Sequence, residues 1–223
     1  MEPRQATARR GSVQFVGVAR EFVRRGRSVA ALRPLDLAAG SGEVVAVAGP
    51  NGCGKTTALR IAAGLVTPSS GRALVCGLDA SRFPPSAAGL VGVSLGSGRS
   101  FYWRLTARQN LLFFGALARV SRRRLRERVP ALADELGLTA VLDEPARRLS
   151  RGALARLSVA RALLHEPPVL LLDEPCAAVD ARGRRDIAAA VVRAVAGGAT
   201  ALVTAQDGSE VPWCGRMVVL FGG

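Results

Sequence analysis

The sequence of 223 residues predicts an α/β fold with a mainly parallel sheet. Short apolar runs rich in valine, leucine and alanine alternate along it with amphipathic stretches of helical period. Such alternation is typical of strands that are joined by crossover helices and therefore run side by side in one direction. In addition, residues 168–173 are apolar up to a final aspartate. A strand without polar alternation is expected where both faces of a parallel sheet are covered.

The expected elements follow from these patterns in chain order. The predicted strands occupy residues 43–49, 72–77, 90–95, 168–173, 200–205 and 216–221. The predicted helices occupy residues 55–65, 106–119, 122–137, 152–165 and 182–196. Between about residues 97 and 165 several helices follow one another without a strand, so we expect a helical subdomain inserted between strands. The basic residues 1–11 predict a flexible tail ahead of a single domain over residues 12–223.

The composition excludes several classes of protein. Aromatic residues make up 4% of the chain, so the core is expected to be aliphatic. No apolar run approaches the roughly 20 residues that span a bilayer. No apolar segment follows the basic start as it would in a secretory signal, and we expect a cytoplasmic protein. The four cysteines lack the spacing of metal ligands or disulfides, which favours small buried hydrophobic residues in a reducing compartment.

The net charge of +14 raises the question of an anionic partner. The arginines are spread through the chain, however, and the densest run, "SRRRLRERV" at residues 121–129, has the spacing of one helix face. We interpret this run as a solvated face. Contact with an anionic membrane surface is the second interpretation. No nucleic-acid partner is expected.

A glycine-rich segment, "GPNGCGKT" at residues 49–56, fits the phosphate-binding pattern G-x-x-x-x-G-K-[ST] between a predicted strand and a predicted helix. Lys55 is the only lysine among the 31 lysines and arginines. A compact ammonium reaches the β- and γ-phosphates, where the planar guanidinium of arginine fits poorly. The hydroxyl of Thr56 is a candidate ligand for Mg²⁺. The candidate ATP-binding residues are Gly49, Pro50, Asn51, Gly52, Cys53, Gly54, Lys55, Thr56 and Thr57.

A second segment, "PPVLLLDEP" at residues 167–175, ends an apolar strand with two acids. Ligands of α/β sheets bind at the carboxyl ends of the strands, so Asp173 is placed to hold Mg²⁺ directly or through water. Glu174 is then placed to accept a proton from the water that attacks the γ-phosphate, or to orient that water. The alternative, a pair of acids in a cap or turn, fits poorly with the buried run before them.

Together these segments resemble the ATP-binding subunit of an ABC transporter over nearly the whole chain. The segment "LSRGALARLSVARALLHEPPVLLLDEP" is similar to the family's signature sequence leading into its acidic strand. The residues at the positions usually written LSGGQ are Leu149, Ser150, Arg151, Gly152 and Ala153. Asp180 lies where the family has its D-loop, and Phe22 is similar in position to the aromatic residue that stacks on adenine. Residues 100–117 resemble exporters of drugs or surface polysaccharides.

The resemblance implies a P-loop NTPase fold with an N-terminal antiparallel β portion and an inserted helical subdomain. It also implies that two such subunits, alike or different, meet head to tail with MgATP between the loop of one and the signature of the other. Hydrolysis would drive export through a separate transmembrane permease, which holds the subunit at the inner face of the cell membrane. The aromatic residues at 101–103 either anchor that contact or pack locally beneath the helices.

Several positions depart from the family's pattern. Gln206 stands where the family has its switch histidine, and the only histidine, His165, lies before the acidic strand at an expected helix end. The glutamine of the Q-loop is missing near Gly96 or Ser97. Arg151 replaces a glycine of the signature, where it either adds charge near the partner's ATP or points to solvent. Because Gln206 can donate a hydrogen bond but carries no charge, we expect slow hydrolysis.

Two other functions stay open at this point. One is a nucleotide-binding but poorly hydrolysing half of a heterodimeric transporter, which the altered signature favours and Glu174 opposes. The other is a nucleic-acid-associated ATPase of the same superfamily. It ranks last because the sequence has one nucleotide motif and no long coiled-coil insertion.

Overall fold

Two sheets of different strand direction make up the computed structural model, which describes residues 11–24, 27–96 and 101–221. The strands are β1 (Val13–Arg24), β2 (Arg27–Ala39), β3 (Val44–Ala48), β4 (Ser70–Val75), β5 (Leu78–Asp79), β6 (Val91–Ser94), β7 (Val169–Leu172), β8 (Thr200–Ala205) and β9 (Arg216–Val219). The helices are α1 (Lys55–Ala62), α2 (Ala107–Leu117), α3 (Arg122–Glu135), α4 (Arg151–Leu163) and α5 (Ala181–Ala196). Residues 1–10 of the expected basic tail, and Ser97 at the Q-loop position, lie outside the described residues.

The antiparallel sheet is built from the N-terminal part of the chain, with the strand order β2-β1-β4-β5. β1 and β2 pair from Val13 opposite Ala39 to Arg24 opposite Arg27. β4 pairs with β1 on its other side. The predicted N-terminal antiparallel portion is therefore confirmed, and the strand predicted at residues 72–77 belongs to it as β4.

The second sheet has the order β6-β7-β8-β3-β9, and every neighbouring pair in it runs parallel. All residues of β3, β7 and β8 are buried, which explains their continuous apolar runs. Ala48 at the end of β3 lies opposite Ala205 of β8, and Leu172 at the end of β7 lies opposite Val203. The segments that follow β3, β8 and β7 therefore leave the sheet at one edge, with β8 in the middle. The prediction of an α/β fold with a mainly parallel sheet is confirmed.

Both faces of the parallel sheet are covered, as the sequence predicts. On one face α1 contacts both sheets, and its Leu59 and Ile61 are fully buried in one cluster with Leu171 and Leu202. On the other face α2 to α5 form a second cluster. The largest fully buried side chains are leucines and isoleucines, so the core is aliphatic. Each such side chain stabilises the fold by about 1.5–3 kcal/mol relative to an exposed one.

The helices α2, α3 and α4 follow β6 with no strand between them in the described part of the chain. Each begins where a hydroxyl accepts a backbone N–H of its first turn: Thr106, Ser121 and Ser150, respectively. In α3, Leu125 and Val129 are buried, while the arginines at 122, 123, 124 and 126 are exposed. The run at residues 121–129 is thus one exposed face of a helix, as its spacing predicts.

A cluster of four aromatic rings joins α2 to α4. The ring centres of Phe101, Tyr102, Phe113 and Phe114 lie between 4.8 and 6.2 Å from their neighbours. The guanidinium of Arg161, on α4, lies over the rings of Phe101 and Phe114, 5.0 and 4.9 Å from their centres. Burial lowers the pKa of Arg161. The ring faces offset part of that desolvation, because their quadrupoles attract a cation.

Candidate nucleotide-binding site

The glycine-rich loop after β3 has a backbone that only glycine fits at two of its positions. Gly49 and Gly54 have φ values of 150° and 103°. A Cβ atom on Gly49 would lie 2.3 Å from the carbonyl oxygen of Leu220, and one on Gly54 would lie 2.6 Å from that of Ala31. Gly52 also has a positive φ, of 88°, although the space around it is open. The loop is therefore shaped by close backbone approach rather than by its side chains.

Lys55 is the first residue of α1, and its side chain turns back into this loop. Its side chain is 5% exposed. The Nζ atom donates to the carbonyl oxygens of Gly49 at 2.7 Å and Pro50 at 3.1 Å, and it lies 3.5 Å from Oε1 of Glu174. The ammonium is thus held at the centre of the loop, where a compact cation fits and a guanidinium would not.

The other residues of the loop have no charged side chains, so none of them forms an ion pair with this ammonium. Pro50, Asn51 and Gly52 are exposed at the rim, and Thr57 is half-buried in α1. Cys53 is buried, as a small apolar residue would be.

Thr56 and Asp173 come together across the space between α1 and β7. The Thr56 hydroxyl oxygen lies 2.8 and 3.1 Å from the two carboxylate oxygens of Asp173. A hydroxyl and a carboxylate are hard oxygen ligands that suit Mg²⁺. Among the described residues no group of three His, Cys, Asp or Glu could hold a metal ion. Thr56 and Asp173 alone supply too few oxygens to surround Mg²⁺. They fit the usual arrangement of Mg²⁺ beside a nucleotide, in which phosphate oxygens and water provide the remaining ligands.

Glu174 and Asp173 are also linked through a residue that sequence reasoning missed. Thr204, on the middle strand β8, donates its hydroxyl proton to Oδ1 of Asp173 at 2.7 Å. The same hydroxyl oxygen accepts the backbone N–H of Glu174 at 2.9 Å. Glu174 itself has a φ of 45°, in the left-handed region. The signal for Thr204 in the sequence was its polar side chain near the end of a strand whose other polar residue, Thr200, lies at the start.

The candidate signature residues start α4. Ser150 caps the helix by accepting the N–H of Ala153 at 3.1 Å, and Leu149 before it is buried. Arg151, the first residue of α4, is exposed in the single chain. A Cβ atom on Gly152 would lie 3.0 Å from the carbonyl oxygen of Ala178, so α4 closely approaches the segment after β7.

A cavity of about 460 Å³ lies beside the two acids. Asp173 and Glu174 face it from one side, and Gly96, Trp103 and Arg151 line it elsewhere. The start of α4 therefore shares a cavity with the acids of the same chain. Gly96, which is one of the two positions where the resemblance places the Q-loop glutamine, contributes no side chain to this cavity.

Three further candidates belong to other elements of the fold. Asp180 caps α5 by accepting the N–H of Gly183 at 2.8 Å. Phe22 is exposed on β1, with the guanidinium of Arg20 4.5 Å from its ring centre. Gln206 directly follows β8 and is exposed at the carboxyl edge of the sheet.

His165 lies at the opposite edge of the sheet, outside the site. Its Nε2 is 3.2 Å from the carbonyl oxygen of Val91, the first residue of β6, and burial lowers its pKa. It follows α4, as the sequence predicts. Burial raises the pKa of Cys176 to about 11 and that of Cys214 to about 12, which disfavours the reactive thiolate form of both.

The parallel sheet and the glycine-rich loop at its carboxyl edge define the class of P-loop nucleotide-binding proteins. Residues 32–177 match the family model described as "ABC transporter", and the chain belongs to that family.

Similar proteins include spermidine/putrescine import ATP-binding protein PotA of Frankia alni, 36% identical over 95% of this chain and 46% of the relative. Daunorubicin resistance ATP-binding protein DrrA2 of Streptomyces coeruleorubidus is 42% identical over 79% of this chain and 54% of the relative. The chain thus spans about half the length of these relatives.

Solved structures with the same fold include the dimeric post-hydrolysis state of the ATP-binding cassette MJ0796 bound to ADP and Pi. It has a TM-score of 0.84 and 23% identity, covering 93% of this chain and 94% of that one. In the described part of this chain, no helix combines the length and the apolar character needed to cross a membrane.

Proposed function

We propose that this chain binds MgATP and hydrolyses it as the ATP-binding subunit of a transporter. One observation carries the proposal: the ammonium of Lys55 lies inside the glycine-rich loop, 3.5 Å from the Glu174 carboxylate. A phosphate-binding cation and a candidate base thus meet at the carboxyl edge of the sheet, where α/β proteins bind their ligands.

The loop and the residues around it have separate roles in the proposed binding of MgATP. The backbone N–H groups of residues 51–57 and the start of α1 offer partial positive charge to phosphates, and Lys55 adds a full charge. To reach phosphate oxygens, the Lys55 ammonium gives up its bonds to the carbonyls of Gly49 and Pro50. Thr56 and Asp173 hold Mg²⁺, which supplies charge neutralisation on the phosphates when bound. Phe22 stacks on the adenine.

Glu174 is the proposed general base. Gln206, which follows the neighbouring strand β8, is the residue proposed to contact the γ-phosphate. Glu174 accepts a proton from the attacking water or orients that water. Gln206 donates a hydrogen bond without charge. We therefore propose turnover that is slow for the family, since a neutral donor stabilises developing negative charge less than a cation does.

We further propose that two subunits meet head to tail, with Ser150, Gly152 and their neighbours at the partner's ATP and Asp180 near the dimer contact. The start of a capped helix supports this role, because its free N–H groups favour an anion. The subunit lies in the cytoplasm at the inner face of the membrane, bound to a separate permease. The exporter-like residues 100–117 and the daunorubicin-resistance relative support export, while the import relative supports the other direction.

The aromatic residues at 101–103 have two proposed roles: contact with the permease and packing within this chain. Phe101 is buried, whereas Tyr102 and Trp103 are 52% and 43% exposed. Exposed aromatic side chains of this size are common at the centre of protein interfaces. Tyr102 and Trp103 are therefore the proposed contacts with the permease, and Phe101 is their support.

The second candidate function is a nucleotide-binding half of a heterodimer with little turnover of its own. Gln206 and the side-chain-free Gly96 favour it, because Gln206 carries no positive charge and Gly96 offers no side-chain polar group beside the acids. ATP binding without phosphate release, rescued by a second subunit, would select this function over the first.

Thermal unfolding with MgATP tests nucleotide binding directly. MgATP at about 100 times its Kd stabilises a folded chain by about 2.7 kcal/mol, or about 5–10 °C in Tm for this size. We expect this shift in the wild type and in the control Arg60→Ala, which removes an exposed cation from the last turn of α1. In Lys55→Ala, binding should weaken about 10- to 100-fold, because a charged hydrogen bond contributes about 1.5–3 kcal/mol. An undiminished shift in Lys55→Ala would refute the role of the lysine.

A further inference from the structure

We infer that Thr204 is a positioning residue that sets the orientation of both acids through a single hydroxyl. This inference rests on the proposed function of Asp173 and Glu174. Thr204 lies on β8, between the strand that leads to the glycine-rich loop and the strand that leads to the acids. Its side chain is fully buried, with 0% exposure.

The bonding of this hydroxyl is fully determined by its two partners. A threonine hydroxyl has one proton to donate, and the Asp173 carboxylate at 2.7 Å can only accept it. A lone pair then remains for the backbone N–H of Glu174 at 2.9 Å. Because the position is buried, water cannot replace either partner, and losing one hydrogen bond costs the free energy of an unsatisfied polar group. The hydroxyl therefore fixes the Asp173 side chain and the Glu174 backbone relative to each other.

The backbone of Glu174 needs such support. Its φ of 45° is uncommon for a residue with a side chain, and such conformations persist where surrounding contacts hold them. Two backbone bonds do so: the N–H donates to Thr204, and the carbonyl accepts the N–H of Ala177 at 3.2 Å. Only the first ties Glu174 to β8. In this conformation its carboxylate lies 3.5 Å from Lys55.

Thr204 also influences the candidate Mg²⁺ ligand. The Asp173 carboxylate accepts from Thr204 at Oδ1, and the Thr56 hydroxyl lies closer to Oδ2, at 2.8 Å, than to Oδ1, at 3.1 Å, so two hydroxyls set its orientation. If Thr56 and Asp173 held a metal ion, the Thr204 hydroxyl would still donate to Oδ1 and orient that ligand. Residues that orient a metal ligand in this way typically change metal affinity about 10- to 100-fold when they are replaced.

The test compares Thr204→Val, which keeps the branched shape and removes the hydroxyl, with Thr204→Ser, which keeps the hydroxyl. Thr200→Val is the matched control. Thr200 is on the same strand and the same face and is equally buried, and its hydroxyl, at the other end of β8, lies within hydrogen-bond distance of the carbonyls of Gly11 and Gly40 and donates to one of them. The readouts are the NMR hydrogen-exchange rate of the Glu174 amide in the chain without nucleotide, and the Mg²⁺ concentration that gives half-maximal ATP hydrolysis.

We expect Thr204→Val to speed exchange of the Glu174 amide several-fold and to raise the Mg²⁺ requirement about tenfold or more. The KM for MgATP at saturating Mg²⁺ should change much less than kcat. Thr204→Ser should stay near the wild type, and Thr200→Val should leave both readouts unchanged. Equal changes in Thr200→Val and Thr204→Val would mean that Thr204 is only structural, and an unchanged amide exchange in Thr204→Val would overturn the inference.

The ligand-free readout keeps the test of Thr204 separate from the test of the proposed function. The amide exchange needs no ligand, so a chain that fails to bind MgATP would refute the proposed function while the exchange still decides the role of Thr204. Should Thr204→Val not fold, Thr204→Cys provides the same comparison, because a thiol is a weak donor at the same position.

Discussion

Replacing Glu174 by glutamine separates the two roles that the site assigns to this residue. Its carboxylate pairs with the Lys55 ammonium in the structure, and it is the proposed general base. At 3.5 Å and an effective dielectric constant of about 20, the direct attraction is about 5 kcal/mol. Glu174 is 29% exposed, however, and screening and desolvation leave net contributions of about 1 kcal/mol or less for comparable pairs. Glu174→Gln should therefore lower Tm by at most about 2–4 °C.

The effect on turnover should be far larger than the effect on stability. Loss of a general base typically lowers the rate about 10²- to 10⁴-fold. Nucleotide binding should persist, because Lys55 and the loop remain and the ammonium loses a competing carboxylate. A stable MgATP-bound dimer should consequently accumulate. Single-turnover phosphate release measures the rate, the MgATP-dependent shift in Tm measures binding, and size-exclusion chromatography with MgATP measures the dimer.

Glu210→Gln is the control for this experiment, since Glu210 is another acid at the carboxyl edge and accepts the N–H of Gln206 at 3.4 Å. It should hydrolyse ATP at a rate close to that of the wild type. If Glu174→Gln hydrolyses ATP at the original rate, the assignment of Glu174 as the base is wrong. If it no longer binds MgATP, the carboxylate acts in binding rather than in the chemical step.

Two more predictions concern Gln206 and His165. Gln206→His should raise the single-turnover hydrolysis rate, because a cationic donor stabilises developing charge at the γ-phosphate more than an amide does; no rise would contradict the expectation of slow turnover from this position. For His165, burial lowers the folded pKa. On acidification the unfolded chain thus binds the proton first, and the free energy of unfolding falls as the pH drops from about 6.5 towards the folded pKa. His165→Gln should flatten this dependence in urea unfolding at pH 7 and 5.5, and an equal loss in both proteins would exclude His165 as its source.

Five helices and six of the nine strands in the described residues were predictable because their patterns are local, whereas β1 and β2 were expected only as the antiparallel portion that the resemblance implies. The runs at residues 168–173 and 200–205 predicted β7 and β8 almost to the residue, since fully buried strands are mainly apolar. The strand at 72–77 was also predicted, but not its place in the antiparallel sheet. Which strand pairs with which depends on long-range contacts, and an apolar run of this length fits either sheet.

The site residues that could be predicted from the sequence are those that lie next to the end of a strand or the start of a helix. Lys55, Thr56, Asp173 and Glu174 were each identified from a segment that follows a strand, and the structure brings them together. Thr204 was not identified, since its role depends on β8 lying between β3 and β7. The left-handed backbone of Glu174 likewise leaves no signal in the residue type.

The contact of Arg161 with the aromatic cluster has a mechanical consequence for the helical layer. Arg161 lies ten residues after Arg151 on α4, or about 15 Å along a helix axis. Sliding α4 against α2 would separate this desolvated cation from the ring of Phe114, which costs about 2 kcal/mol. The contact therefore favours movement of α2 and α4 as one unit, and Ser150 caps the start of the same helix.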